Sequence, residues 1–275
     1  AVMANPTPFS RYEWMIAWRY LRARRAEGGV SVMTWISVIG IALAVFALIA
    51  TLSVRSGFRA EFVDTILGAN AHVTVYNTIQ IDENGNGSRT IADYEQRAEA
   101  IRQVAGVTRV APLVKGQVMV NSPHASAGVD VFGIAAEYLR TLDRIANPET
   151  AQGSLDDFGP GLAIGSGVAR ELALTVGDTI RLISPDGQKT PFGTSPRIKS
   201  YPVAYIFTAG RYDIDRTRVY MPFDEAQLFF NRQGVADELE VLVENPDAVE
   251  ALSVALLRAA GDRALLWSWK DSSAA

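Results

Sequence analysis

The hydrophobic pattern changes character along the chain. Residues 30–54 form an unbroken run of 25 positions without a charge or a proline, and with a single glycine, Gly40. At about 1.5 Å rise per residue a helix of that length covers roughly 37 Å, enough to cross a hydrocarbon core about 30 Å thick. Apolar residues occupy every face, so the run does not describe a helix resting one side on a core. A secretory leader has an apolar stretch of only about 7–15 residues, followed by a small-residue cleavage site. The run therefore reads as a retained membrane span.

Residues 8–29, just upstream, mix Tyr12, Met15, Ile16, Trp18, Tyr20 and Leu21 with Arg11, Arg19 and Arg22. This is the pattern of a basic amphipathic helix lying along lipid headgroups before Gly28-Gly29 turns the chain into the bilayer. Trp14, Trp18, Arg19, Arg22, Arg24 and Arg25 are the expected interface anchors, within a region 1–29. Five arginines precede the span and two, Arg55 and Arg59, lie just beyond it. That asymmetry predicts a cytoplasmic N-terminus and an outer location for the domain after the span. Beyond the span, Phe58, Phe62 and Ile66 recur at spacing four and extend the helix as a stalk over 55–66, with Gly68 as its stop.

Farther on, the periods shorten. A strand is predicted at 72–76, a helix at 90–105 and strand material at 107–121. A strand at 126–134, a helical turn at 137–142 and a short glycine-opened helix at 162–172 come next. A run from turn into strand over 174–182, strands at 201–208 and 218–221 and a helix at 222–230 complete the middle. The end repeats the beginning in kind: strand 238–244, helix 246–260 and strand 263–269. The predicted class is α+β: one N-terminal transmembrane helix, then a domain of two strand–helix–strand units. Those units, 67–121 and 235–270, flank an inserted β-rich subdomain over 122–234.

One surface segment, 184–200, departs from this alternation. Pro185, Pro191, Pro196, Gly187 and Gly193 predict a hairpin arm without regular structure, and Lys189, Arg197 and Lys199 make it basic in a chain of net charge −4. Proline lowers the entropy lost on ordering, which suits an element that reaches for a partner; a disordered decoration is the alternative.

Composition mainly excludes. Lys and Arg total 26 against 30 Asp and Glu, which argues against a nucleic-acid binder. With no cysteine there are no disulfides, thiol nucleophiles or thiolate metal sites. His72 and His124 form no cluster with other ligands. Asp82, Asn84, Asn86, Gly87 and Asp93 partly match a calcium loop, but no entering helix precedes them, and a polar Asn-Gly turn explains them better. The glycines of 162–172 lack the lysine and hydroxyl of a phosphate cradle. No catalytic constellation assembles.

The N-terminal block, with its Ile-Ala-Trp-Arg-Tyr-Leu-Arg-Ala-Arg core, the span and Gly57-Phe58-Arg59, resembles the start of the lipoprotein-releasing ABC permeases of the LolC/LolE family. Gly68-Ala-Asn-Ala-His-Val, Gly177-Asp178, Thr190-Pro-Phe-Gly193 and Trp267-Ser-Trp269 extend the resemblance over nearly the whole chain. It implies an inner-membrane permease subunit, itself non-catalytic and without a cofactor, whose porter and sabre pieces lie in the periplasm. Its implied partners are a LolD-like cytoplasmic ATPase that binds ATP, a second permease subunit, a LolA-like periplasmic carrier, the lipoprotein substrate and membrane lipids. The arm then corresponds to a hook that docks the carrier through Lys189, Thr190, Pro191, Phe192, Gly193, Pro196, Arg197 and Lys199, although 194–201 departs from the family pattern. Val38, Ile41, Val45, Leu48 and Leu52, at helical spacing, become the face offered to lipid or lipoprotein, or equally to another helix. Such permeases carry three further spans, so the chain is expected to be an N-terminal portion of one. A related efflux or cell-division permease and a single-span sensor or anchored binding module are the alternatives.

Overall fold

The computed structural model describes residues 11–22, 28–67, 70–81, 87–190 and 193–273. It divides into two compact units, Ala1–Glu61 and Phe62–Ala275. The first holds α1 (Arg11–Arg22) and most of α2 (Gly28–Leu67), a single 40-residue helix that takes in both the expected span and the expected stalk. Gly28 and Gly29 open α2 rather than turning the chain ahead of it. Within α2, Val32–Gly57 is long and apolar enough to cross a membrane. The Ser37 and Thr51 hydroxyls donate to the carbonyls of Met33 (2.9 Å) and Ala47 (2.7 Å), so neither brings an unmet polar group into an apolar surrounding.

The second unit is built on one ten-stranded sheet. In chain order its elements are β1 (Val73–Asn77), the small β2 (Gln80–Ile81) and β3 (Gly87–Ser88) ribbon, α3 (Tyr94–Arg102), β4 (Val107–Asn121) and β5 (Ser126–Ile134). Next come α4 (Ala136–Leu139), α5 (Asp143–Ala146), β6 (Thr150–Gly153), β7 (Leu162–Gly165) and α6 (Ser166–Glu171). The chain continues through β8 (Thr179–Thr190), β9 (Gly193–Thr208), α7 (Tyr212–Thr217), β10 (Arg218–Pro222) and α8 (Phe223–Phe229). It closes with β11 (Glu238–Val243), α9 (Val249–Ala260), β12 (Ala264–Ser268) and α10 (Trp269–Ser273). The sheet runs β12-β1-β11-β4-β5-β10-β7-β9-β6, with β8 paired to β4 and β9.

Three apolar clusters cover this sheet. Val73 and Val75 of β1, Leu239 and Val241 of β11, and Ile101 and Leu256 of α3 and α9 form one of them. β4 ties that end to the rest: its first half pairs with β11 and its second half with β5 and β8. Around the middle strands, Leu162, Ile164, Val219 and Phe229 form a second cluster, and Leu139, Phe207, Ile214 and Tyr220 a third. At Gly133 on β5 helix α8 comes so close that an added Cβ would overlap the Ala226 Cβ.

Four further expectations are corrected. The 90–105 helix shrinks to Tyr94–Arg102, because Ile91 exchanges backbone hydrogen bonds with Ala236 (2.7 and 3.0 Å) instead of entering the helix. Leu162–Gly165 is a strand, buried at every residue between β10 and β9; a short apolar run lacks the period that would distinguish it from a helix. Trp269 opens α10 and does not end β12. The arm is not irregular: β8 and β9 pair from Thr179–Pro202 out to Thr190–Gly193, with one register break between Ser184 and Gln188. Pro185 and Gly187 lie inside that break and Pro196 opposite it, outside the paired rungs, so the missing proline N–H groups cost the ladder little.

Candidate functional site

The β8–β9 ribbon is the extended element of the second unit. Beyond the break, Gln188 pairs with Ser195, Lys189 with Thr194, and Thr190 with Gly193 at the end of the ladder. Pro191 and Phe192 lie outside the described residues.

Its base is held by α8. Arg197 Nη1 donates to the carbonyls of Leu228 and Phe229 at the C-terminal end of that helix, where orphan carbonyls and the helix dipole favour a cation. Arg197 Nη2 donates to Asn231 Oδ1 at 2.8 Å, and Asn231 Nδ2 donates across to Gly187 O at 3.0 Å. Asn231 has φ +55°, a left-handed conformation that asparagine tolerates better than most residues. One turn back, Glu225 Oε1 accepts from Lys199 Nζ and from the Tyr201 hydroxyl, each at 2.6 Å. Partial burial works to raise the Glu225 pKa, but these two donors outweigh it and hold the carboxyl below its ordinary value. Burial, then the same carboxylate, pushes Tyr201 well above the usual phenol range.

Beside this base the open face of the sheet forms a trough of about 660 Å³ lined by Met119, Val129, Ile183, Pro185 and Pro196, with Gln117 and Asp130 at its polar end. Met119 is more than half exposed there, as is Ile198, the cross-strand partner of Ile183 on β9. An apolar surface beside a stiff ribbon has the composition of a protein-docking site.

The expected site residues therefore separate. Arg197 and Lys199 anchor the arm to α8, and Pro196 lines the trough. Lys189, Thr190 and Gly193 lie at the outer end of the ribbon. Val38, Ile41, Val45, Leu48 and Leu52 are exposed along α2, as are their apolar neighbours Ile39, Leu43 and Phe46. Trp14, Trp18 and Arg19 are exposed on α1, Arg22 ends it, and Arg24 and Arg25 lie outside the described residues.

Sequence reasoning missed the anchoring partners Glu225, Tyr201 and Asn231. Asn231 carried the one available signal, an asparagine directly after a helical stretch. His72 is a structural acceptor: its Nδ1 receives the Val243 N–H at 3.0 Å. Asp82–Asn86, the calcium-like turn, is outside the described residues, and no group of three potential metal ligands stands together among those described.

The chain is similar to several known proteins. The MacB-like periplasmic core domain matches residues 34–259. The lipoprotein-releasing system transmembrane protein LolC of Neisseria meningitidis serogroup B is 29% identical over 252 residues, 90% of this chain and 58% of that protein. The corresponding LolE of Haemophilus influenzae is 27% identical over 255 residues, 91% of this chain and 58% of its own. The crystal structure of the periplasmic region of MacB from Actinobacillus actinomycetemcomitans is similar with a TM-score of 0.46 at 12% identity, covering 76% of this chain and 96% of that one. The chain thus spans little more than half the length of these two curated relatives.

Proposed function

The chain belongs to the MacB-like periplasmic core domain family, and from that footing we propose that it is the membrane subunit of an ABC transporter that extracts lipoproteins from the inner membrane. ATP hydrolysis is supplied by a LolD-like cytoplasmic partner, a second permease subunit completes the membrane part, and a LolA-like carrier receives the lipoprotein in the periplasm. The N-terminus is cytoplasmic and the sheet domain periplasmic, a placement supported by the five arginines before the span against two after it.

The likeness to LolC along 90% of the chain is the observation that carries this reading. Physical chemistry adds why such a subunit needs a docking arm. Each CH₂ of an acyl chain drawn from lipid into water costs about 0.8 kcal/mol, so free release is prohibitive and the chains must pass directly to an apolar receiver. A receiver held at the β8–β9 ribbon and the trough beside it meets that need. The ribbon's attachment to α8 by Arg197, Lys199 and Asn231 fixes it in advance, lowering the entropy lost on docking.

The test is reconstitution of the full-length permease with its ATPase and second subunit in proteoliposomes loaded with a lipoprotein. ATP-dependent appearance of that lipoprotein on added carrier is expected. ATP turnover with no lipoprotein leaving the bilayer would refute the reading.

A further inference from the structure

A second cleft, of about 300 Å³, lies at one end of the sheet between β6 and α6. Two cross-strand rungs floor it, Thr150 with Thr208 and Gln152 with Ile206, the threonine hydroxyls standing 2.9 Å apart. Ser166 and Arg170 of α6 wall it, and no carboxylate lines it. Arg170 is exposed, and its guanidinium has no hydrogen bond or ion pair among the described residues. The carboxylates nearest in sequence are engaged: Glu171 binds Arg216 at 2.7 Å, and Asp178 accepts from the Thr175 N–H and hydroxyl at 2.7 and 2.8 Å.

β6 is also one of the two ends of the sheet, and an edge strand offers a row of backbone groups to another chain. The opposite end, β12, is closed to such use. Trp269 donates to His72 O and Thr78 to Arg263 O, so antiparallel alternation turns Ala264, Leu266 and Ser268 outward. Two of those outward amides are already bonded, Ala264 to Gly261 O at 3.1 Å and Ser268 to Asp271 Oδ2 at 2.8 Å. β6 has no comparable closure: all four of its residues are exposed, and among the described residues it pairs only with β9.

We propose that β6 and the Arg170 cleft receive an extended, acidic segment of a partner polypeptide, which adds as a further strand with a carboxylate against Arg170. Backbone pairing supplies affinity without regard to sequence, and the charge-assisted contact selects acidic segments. A four-residue edge limits the contact to a weak, reversible one. The proposal goes beyond carrier docking and uses neither the arm nor the trough.

The test employs the full chain in lipid nanodiscs and a fluorescent peptide of alternating valine and glutamate, titrated by anisotropy. Saturable binding is expected, weakened about tenfold by Arg170→Glu and restored when lysine replaces glutamate in the peptide. Deleting residues 184–200 leaves it unchanged, which separates this site from the carrier site. Arg170 makes no hydrogen bond or ion pair among the described residues, so Arg170→Glu loses only the modest favour of a cation in the last turn of α6 and shifts the melting temperature by no more than a few degrees. Absence of saturable binding, or equal binding by wild type and Arg170→Glu, overturns the proposal.

Discussion

Arg197 Nη2 stands 2.8 Å from Asn231 Oδ1, and the same guanidinium donates to the carbonyls that end α8. One arginine of a basic arm thus serves the arm's own attachment. Arg197→Ala is expected to speed hydrogen exchange of the arm amides about tenfold, the loss of roughly 1–1.5 kcal/mol of local hydrogen bonding. The melting temperature should move by no more than a few degrees, since the core clusters are untouched. Lys199→Ala should do less, because its ion pair with Glu225 is half exposed. Exchange measured by mass spectrometry on the two variants checks the order.

The buried pair Arg109–Glu240 predicts a larger effect. The charges stand 3.1 Å apart with side chains 6% and 10% exposed, and Arg109 also donates to Tyr138 O and Thr141 Oγ1. Burial pulls the Arg109 pKa down, with Glu240 opposing it. Glu240→Ala strands the guanidinium and should cost about 3–5 kcal/mol, whereas the double change Arg109→Met with Glu240→Leu should cost less. Urea unfolding of the single and double variants decides it.

His72 sets a pH dependence. Burial, with the Arg109 charge adding to it, holds its pKa below 6.5. The unfolded chain therefore binds the proton more readily, and the stability His72 contributes is complete above 6.5 and lost as pH falls through the lowered folded value. His72→Asn keeps an acceptor for the Val243 N–H and removes the proton. Its melting temperature should fall less than that of wild type between about pH 7 and 5.

Where helix and sheet touch at Gly133 there is no room for a methyl group. Gly133→Ala sets a Cβ against that of Ala226, far inside van der Waals contact, and must push α8 outward. A loss of about 1–3 kcal/mol is expected. Because α8 holds Arg197 and Lys199, faster exchange in the arm should accompany it, as it would not for an equally destabilising change in α9.

Legibility in the sequence tracks the range of the interactions. The long span and β5 were legible because a charge-free run and a short run rich in β-branched and aromatic residues (Val129, Val131, Phe132, Ile134) are local signals, and β5 spans the predicted residues 126–134. The α+β class and the paired strand–helix–strand units were legible on the same ground. β7 was not, because four apolar residues carry no period, and its neighbours β10 and β9 come from distant segments. The arm was misread because prolines were counted without their register. Its attachment was out of reach, since Arg197 and Asn231 are 34 positions apart and meet only through the fold.

The arm's contact with a carrier is the most direct test of the whole account. A photoreactive residue placed at Lys189 in the intact permease, in membranes with the lipoprotein carrier present, should crosslink to the carrier. The same probe at Leu257 on α9 should not, and deletion of 184–200 should abolish lipoprotein transfer while ATP hydrolysis persists. A permease that transfers lipoproteins normally without the arm, or an arm probe that never meets the carrier during transfer, would contradict it.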